Sequence, residues 1–479
     1  MKRKRIQFSL FIVVFGLICI VSNSFADQNT EKVDALFKAW DTKDSPGCAL
    51  AIIQDGKIIY KKGYGMANLE HNIPITPSSV FYIGSTSKQF VAMCIVLLAR
   101  DGKLSLDDDI RKYVPEMPDY GTPVTIRNLI HHTSGIRDYL ELVGIIAGMS
   151  EERMDEMIGI YHQPDALELI TRQKELNFTP GEKFLYSNSC YLLLAEIIKR
   201  TSGKTLREYA HENIFEPLGM TNSHFHDDYA EPIKDRASGY YPAKGGKFRL
   251  FMSTFDCVGS GGLFTSVEDL FLWDQNFYHH KVGGKELIDQ IHTRGHLSNG
   301  EEIDYAFALM IGDYKGLKTV RHGGALGGYR AELLRFPEQR FSVICLSNLS
   351  SFNPSGMCDK VADIYLADQW KVEKPKEKPP QKVSVNPDVY DDYEGQYQLE
   401  DFAGDFYSEE LGVTFSLAVK EGKLYFVHKN APKNPLRLSR PDAFSGGLFD
   451  IKFHRDGEKN VTFFTLNTGR VKNLKFVRK

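Results

Sequence analysis

A serine and a lysine stand three residues apart, Ser85 and Lys88, in "FYIGSTSKQF" (81–90), at the head of a run of apolar residues. On a helix that spacing puts both side chains on one face. Ser85 would then lie at the N-terminus, where unpaired N–H groups and the macrodipole favour developing negative charge. A serine hydroxyl is a weak nucleophile until its proton is removed, and a lysine can help if a dry setting lowers its pKa. The apolar residues after Lys88 would supply such a setting. The pair also fits an ordinary serine N-cap followed by a solvated lysine. Because Ser-x-x-Lys arises by chance about twice in a chain of this length and composition, spacing alone leaves both readings open.

Two further stretches bear on the choice. "PGEKFLYSNSCYLLLAEII" places Tyr186, Ser187 and Asn188 in a turn just before an apolar helix, and "VRHGGALGGYRAELLRF" places His322, Gly323 and Gly324 at the edge of a strand pair. In the order Ser-x-x-Lys, Tyr-Ser-Asn, His-Gly-Gly the chain resembles the class C β-lactamase-like serine hydrolases, a group with D-aminopeptidases, DD-peptidases and family VIII esterases. "PGCALAIIQDGK", "VTIRNLIHHTSGI" (124–136), "FTPGEKFLYSN" and "GSGGLFTSVEDL" extend the likeness through roughly residues 33–350.

The resemblance implies an α+β fold of the β-lactamase/transpeptidase type, an antiparallel sheet flanked by helices. It also implies roles. Ser85 would be the acylated nucleophile, with Lys88 and Tyr186 sharing the proton transfer, Tyr186 as a phenolate held by neighbouring positive charge. Asn188 would bind the substrate's acyl-side amide and orient Lys88, and His322, Gly323 and Gly324 would line the substrate. The backbone N–H groups of Ser85 and Ala325 would form the oxyanion hole. Tyrosine's ordinary pKa of about 10 means that either base must be strongly shifted to work near neutrality. The third motif departs from the Lys-Thr-Gly of the β-lactamases: His322 replaces the cation and Gly323 the hydroxyl that grip a substrate carboxylate. Arg321 would face the opposite side of its strand. The expectation is therefore a peptidase, an aminopeptidase on D-amino-acid peptides or a carboxylesterase, ahead of a β-lactamase or DD-carboxypeptidase. A non-hydrolytic penicillin-binding receptor or structural protein is the alternative of another class. The joint presence of Ser85, Lys88, Tyr186 and Asn188 favours an enzyme.

Other histidines and glycines read more plainly. The "HHTSG" pair (131–135) is a structural turn in the resembling family, and "HFHDD" (224–228) reads as a surface loop rather than half of a zinc site. The glycines of "HGG" and "GSGG" lack the strand–loop–helix order of a nucleotide-binding loop. Neither cofactor nor metal is implied. The partners expected are small-molecule or peptide substrates, and the oligomeric state stays open.

The elements that must position these groups can also be traced. With 479 residues, 42% hydrophobic and 25% charged, the chain is too long for one typical domain. Its net charge of −3, with no basic stripe, gives no footprint for nucleic acid and no polybasic membrane segment. Residues 1–26 combine a basic start, a short apolar run and small residues at Ser24 and Ala26, so they read as a signal peptide of an exported, periplasmic or secreted, protein that keeps no membrane insertion after cleavage. Residues 27–370 form the hydrolase domain, with a hairpin at Asp55–Gly56, a buried helix ending at Asp101–Gly102, a helix capped by Thr265 and Glu268, and two late strands around Pro337. Its strands at both ends suggest one sheet joining N- and C-terminal segments. The Pro- and Lys-rich stretch 371–387 reads as a linker. Residues 388–479 alternate apolar and polar residues between turns and read as a small antiparallel barrel, which the resemblance makes lipocalin-like and which would restrict or shape access to the cleft without being catalytic. The six cysteines after residue 26 lie in apolar surroundings and read as buried thiols.

Overall fold

The computed structural model describes residues 28–148, 162–252, 254–371, 398–427 and 435–479. The signal-peptide reading, and the linker after Lys371, fall outside the described residues.

The central sheet begins with the expected hairpin, β1 (Cys48–Gln54) and β2 (Lys57–Tyr64). Asp55 and Gly56 both take positive φ, the conformation of a two-residue hairpin turn. Four late strands complete it: β3 (Met310–Tyr314), β4 (Leu317–Leu326), β5 (Tyr329–Phe336) and β6 (Phe341–Ser347). The order is β3-β4-β5-β6-β1-β2, antiparallel throughout, with Ala51 of β1 opposite Ile344 of β6. N- and C-terminal segments thus meet at the middle of the sheet. β1 is apolar on both faces because both are covered. Ala49, Ala51 and Ile53 pack into the core containing α1 (Lys88–Arg100), whereas Cys48, Leu50 and Ile52 pack with Met357 and Cys358 of α5 (Pro354–Tyr365). Between the early and late strands run α2 (Tyr139–Ile146), α3 (Asn188–Ser202) and α4 (Val267–His279). α1 is buried from Lys88 to Leu98 and ends at Asp101, followed by Gly102 at positive φ. Cys48, Cys94, Cys190, Cys257, Cys345 and Cys358 are buried free thiols.

Two local expectations are corrected. α4 is capped by Ser266, whose side chain accepts from the Asp269 N–H, and not by Thr265. Thr265 closes a short strand, and its hydroxyl pairs with Ser223 at 2.7 Å. His224 and His226 do not lie on a surface loop: His224–Phe225 is a strand paired with Leu263–Thr265, and His226 is buried. Their rings contact each other at 3.2 Å (Nε2 to Nδ1), and no group of metal-ligating side chains occurs among the described residues.

After residue 398 eight strands form a nearly closed antiparallel barrel: β7 (Gly404–Ser408), β8 (Val413–Lys420), β9 (Lys423–Val427), β10 (Arg437–Arg440), β11 (Ala443–Ser445), β12 (Asp450–Arg455), β13 (Val461–Asn467) and β14 (Leu474–Arg478). The order β9-β8-β7-β14-β13-β12-β11-β10 is joined at its ends by a bridge between Leu424 and Leu436. Closure leaves little exposed edge. Phenylalanines such as Phe406, Phe453, Phe464 and Phe476 fill the interior. The barrel rests on the hydrolase portion through polar contacts. Arg137, wholly buried, donates to Glu410 Oε1 (2.8 Å) and to the carbonyls of Lys472 (3.1 Å) and Asn473 (3.2 Å). No helix among the described residues is long and apolar enough to cross a membrane.

Candidate active site

One turn of 3-10 helix, Gly84–Ser87, leads into α1 and sets Ser85 at the cleft floor with Lys88 beneath it. Lys88 is fully buried. Its Nζ lies 3.0 Å from Ser85 Oγ, 3.0 Å from Asn188 Oδ1 and 2.5 Å from the Ser260 carbonyl oxygen. The solvated-lysine reading is thereby removed. Burial pulls the Lys88 pKa down to about 7, against the nearby Asp138 carboxylate and with help from the Arg470 charge. The two carbonyl oxygens can only accept hydrogen bonds. The charged amine donates to all three oxygens; once neutral, it keeps two N–H groups for the carbonyls and can turn its lone pair to the Ser85 hydroxyl.

Asn188, the first residue of α3, is oriented by Asp138: its backbone N–H (2.6 Å) and its Nδ2–H (2.9 Å) both donate to Asp138 Oδ2. The amide is thus held with Oδ1 toward Lys88. Tyr186 closes the other side, its ring centroid 5.0 Å from Lys88 Nζ. Its hydroxyl is buried and makes no well-formed hydrogen bond, and burial pushes its pKa up, opposed by the nearby Ser85 hydroxyl and Arg470. Burial thus favours the neutral phenol of Tyr186 over the phenolate that the resemblance implies. Lys88, not Tyr186, has the shift that a base near neutrality needs.

β4 runs so close to the 3-10 turn that side chains are excluded on both sides. A Cβ on Gly84, at φ +54°, would lie 2.5 Å from Ala325 N, and one on Gly324 would lie 2.9 Å from Ser85 N. The backbone amides of Ser85 and Ala325 are brought together in this way at the mouth of a cleft of about 1020 Å³. His322 is buried, its Nδ1 2.7 Å from the Gly323 carbonyl oxygen and its Nε2 3.1 Å from Tyr305 Oη. Since a carbonyl only accepts, Nδ1 carries the proton and Nε2 accepts from Tyr305. Burial and the Lys88 charge hold His322 down at about 4, so it presents no cation at neutral pH. Arg321 lines the same cleft, but its charge is taken up by Glu332 (2.7 Å) and Asp359 (2.9 Å). Gly323 abuts that pair: a Cβ there would come 2.9 Å from Glu332 Oε2.

The structure thus gathers Ser85, Lys88, Tyr186, Asn188, His322, Gly323, Gly324 and Ala325 around one cleft. Sequence reasoning missed Asp138, whose only local signal is that of a helix cap on Glu141 N. It also missed His132, whose ring packs 4.1 Å from that of Tyr186 and whose Nδ1 accepts from Ser187 N. Arg470, on the barrel loop between β13 and β14, lines the same cleft. No spacing rule links residue 470 to residue 186.

Fold and site define a serine hydrolase of the β-lactamase/transpeptidase type. The beta-lactamase family model matches residues 33–366, and the chain belongs to that family. Penicillin-binding protein 4* of Bacillus subtilis (strain 168) is 29% identical over 392 residues, 78% of this chain and 84% of that protein. The D-aminopeptidase of Gluconobacter oxydans (strain 621H) is 28% identical over 328 residues, 68% of this chain and 60% of the relative, so the chain spans well under the whole of that enzyme. Among solved structures, the octameric penicillin-binding protein homologue from Pyrococcus abyssi superposes with a TM-score of 0.62 at 26% identity, covering 94% of this chain and 99% of that one.

Proposed function

We propose that the chain is an exported serine peptidase or esterase that works through an acyl-enzyme on Ser85, with peptides bearing an N-terminal D-amino acid as its leading substrate class. The observation that carries this reading is the buried Lys88 amine, its Nζ 3.0 Å from Ser85 Oγ and held there by Asn188 Oδ1 and the Ser260 carbonyl. As Oγ attacks the substrate carbonyl, its proton passes to Lys88, and the oxyanion is received by the Ser85 and Ala325 N–H groups. The resulting ammonium returns the proton through the neutral phenol of Tyr186 to the leaving amine or alkoxide, and water then repeats the sequence in reverse on the acyl-enzyme.

The substrate class is supported by the likeness to D-aminopeptidases and by the third motif. With His322 neutral and the Arg321 charge already paired with Glu332 and Asp359, that motif offers a weaker grip on a carboxylate than the β-lactamase pattern provides. Export is supported by the basic and apolar stretch in residues 1–26. The break at 371–387 supports a two-domain division with the barrel as the second unit. β-Lactam or peptidoglycan-peptide turnover is the second reading, favoured by the likeness to penicillin-binding protein 4*.

A hydrolysis screen over p-nitrophenyl esters, D- and L-aminoacyl anilides and nitrocefin separates the classes. D-Aminoacyl anilides hydrolysed faster than their L-isomers are expected, with little turnover of nitrocefin; nitrocefin as the best substrate would select the second reading. Intact-mass analysis after fluorophosphonate treatment should show one adduct on wild type and none on Ser85→Ala. Equal labelling of both would remove Ser85 from the mechanism.

A further inference from the structure

The barrel does more than sit beside the cleft. Its loop 468–473, between β13 and β14, is tied to the hydrolase portion at several points. The Arg470 N–H donates to Glu141 Oε2 (2.6 Å), and the Thr468 hydroxyl donates to the same carboxylate. Asn177 takes the loop from the other side, donating from Nδ2 to the Arg470 carbonyl (2.9 Å) and accepting from the Lys472 N–H (2.7 Å). These ties fix where the Arg470 side chain goes. Its guanidinium stands 5.0 Å from the centroid of the Tyr186 ring and 3.6 Å from Asp138 Oδ2, the same oxygen that orients Asn188. Arg137 and Asp138, adjacent in sequence, join the two portions: Arg137 holds the barrel, and Asp138 holds Asn188, which in turn holds Lys88.

We propose that Arg470, delivered to the cleft by the barrel, is a positioning residue of the hydrolytic site, its guanidinium setting the field in which Lys88 and Tyr186 exchange the proton of Ser85. The inference rests on the reading of Ser85 and Lys88 given above. A fixed positive charge disfavours a second one nearby, so Arg470 favours the neutral amine of Lys88. On Lys88 the Arg470 charge acts with that sign, and on Tyr186 the same charge opposes the upward push of burial. The other groups facing Lys88 do not duplicate it. Asp138 and Cys190 act in the opposite direction. His132 and His322 are held neutral, chiefly by burial. The rings of Tyr186 and Tyr191 lie 5.0 and 5.5 Å from Nζ and add attraction for the charged form.

The test is the pH dependence of kcat/KM for a small p-nitrophenyl ester, measured on the full-length chain. The variants are Arg470→Met, Arg470→Lys, and Asn177→Ala as a change that loosens the loop while keeping the charge. Loss of the Arg470 charge raises the Lys88 pKa, so the neutral amine appears at higher pH and the acid limb moves upward. A shift of about half to one pH unit is expected for Arg470→Met, with a loss of about 3–10-fold on the acid side and less on the plateau. Arg470→Lys should restore the limb, and Asn177→Ala, which loosens the loop that delivers the charge, should move it the same way by a smaller amount. An unmoved limb in Arg470→Met, a larger shift in Asn177→Ala than in Arg470→Met, or no restoration by lysine would overturn the proposal. Should Arg470→Met fail to fold, Arg470→Gln carries the same comparison. Failure of the site reading is distinct, because undiminished fluorophosphonate labelling of Ser85→Ala would remove the nucleophile whatever Arg470 does.

Discussion

Gly324→Ala separates a glycine kept for backbone approach from one kept for flexibility. The added methyl would meet Ile83 O at 1.9 Å and Ser85 N at 2.9 Å. Carbon approaches a carbonyl oxygen no closer than about 3.3 Å even in a C–H···O contact, so β4 or the 3-10 turn must retreat by about 1 Å or more. That retreat carries the Ala325 amide with it. Oxyanion donors work over a span of only about 0.4 Å in distance, and losing one costs about 10²–10³-fold in kcat. The same displacement overpacks the edge of the core at about 1–3 kcal/mol. Turnover of a p-nitrophenyl ester should therefore fall by at least about 10²-fold, in a protein that still melts cooperatively at a reduced temperature. Gly312→Ala is the control on the same sheet, since its methyl would only touch Thr319 Oγ1 at 3.4 Å. If Gly324→Ala kept wild-type kcat, as Gly312→Ala should, the two amides would not be the oxyanion donors.

Other consequences follow from buried polar groups. Tyr186→Phe removes a hydroxyl that makes no well-formed hydrogen bond, so the melting temperature should hold while kcat falls about 10²–10⁴-fold; near-normal turnover would remove Tyr186 from proton transfer. Glu410→Gln weakens the partner of the fully buried Arg137 and should cost about 3–5 kcal/mol if the charge is left uncompensated; an unchanged urea midpoint would show that Gln173, Glu175 and the Lys472 and Asn473 carbonyls suffice. His131, His292 and His322 are held down at about 4 by burial, so they stay neutral when folded but charge when unfolded. Below the ordinary value of about 6.5 the unfolded chain binds more protons, and the stability present above that pH is lost as pH falls toward 4. A urea midpoint flat between pH 7 and 4 would contradict this.

Much of the fold was legible because short-range signals carried it. The Asp55–Gly56 turn, the apolar run after Lys88 and the alternation of the barrel strands each declare an element within about ten residues. Ser85, Lys88, Tyr186 and His322 were legible through the ordered motifs. What escaped depends on tertiary contact. Asp138 looks like a helix cap and acts as one, yet its other oxygen orients Asn188 fifty positions on. Arg470 looks like a turn residue of an unrelated barrel. The protonation state of Tyr186 escaped for another reason: burial outweighs the neighbouring positive charge, and burial is not written in a motif. The misplaced cap at Thr265 is an offset of one residue, decided by whether the hydroxyl finds Ser223 or the helix first.

The most direct test of Lys88 as the base is the pre-steady-state rate of Ser85 acylation by a small activated ester, followed by intact mass from pH 5 to 9 in wild type and Lys88→Met. Wild type should show an acid limb centred near the Lys88 value of about 7, with the adduct confined to Ser85. Lys88→Met should lose at least about 10³-fold at every pH, since it removes the amine 3.0 Å from Ser85 Oγ and leaves only the Tyr186 phenol, whose pKa burial pushes up. A wild-type rate independent of pH across this range, or a Lys88→Met enzyme that acylates at the wild-type rate, would contradict the assignment.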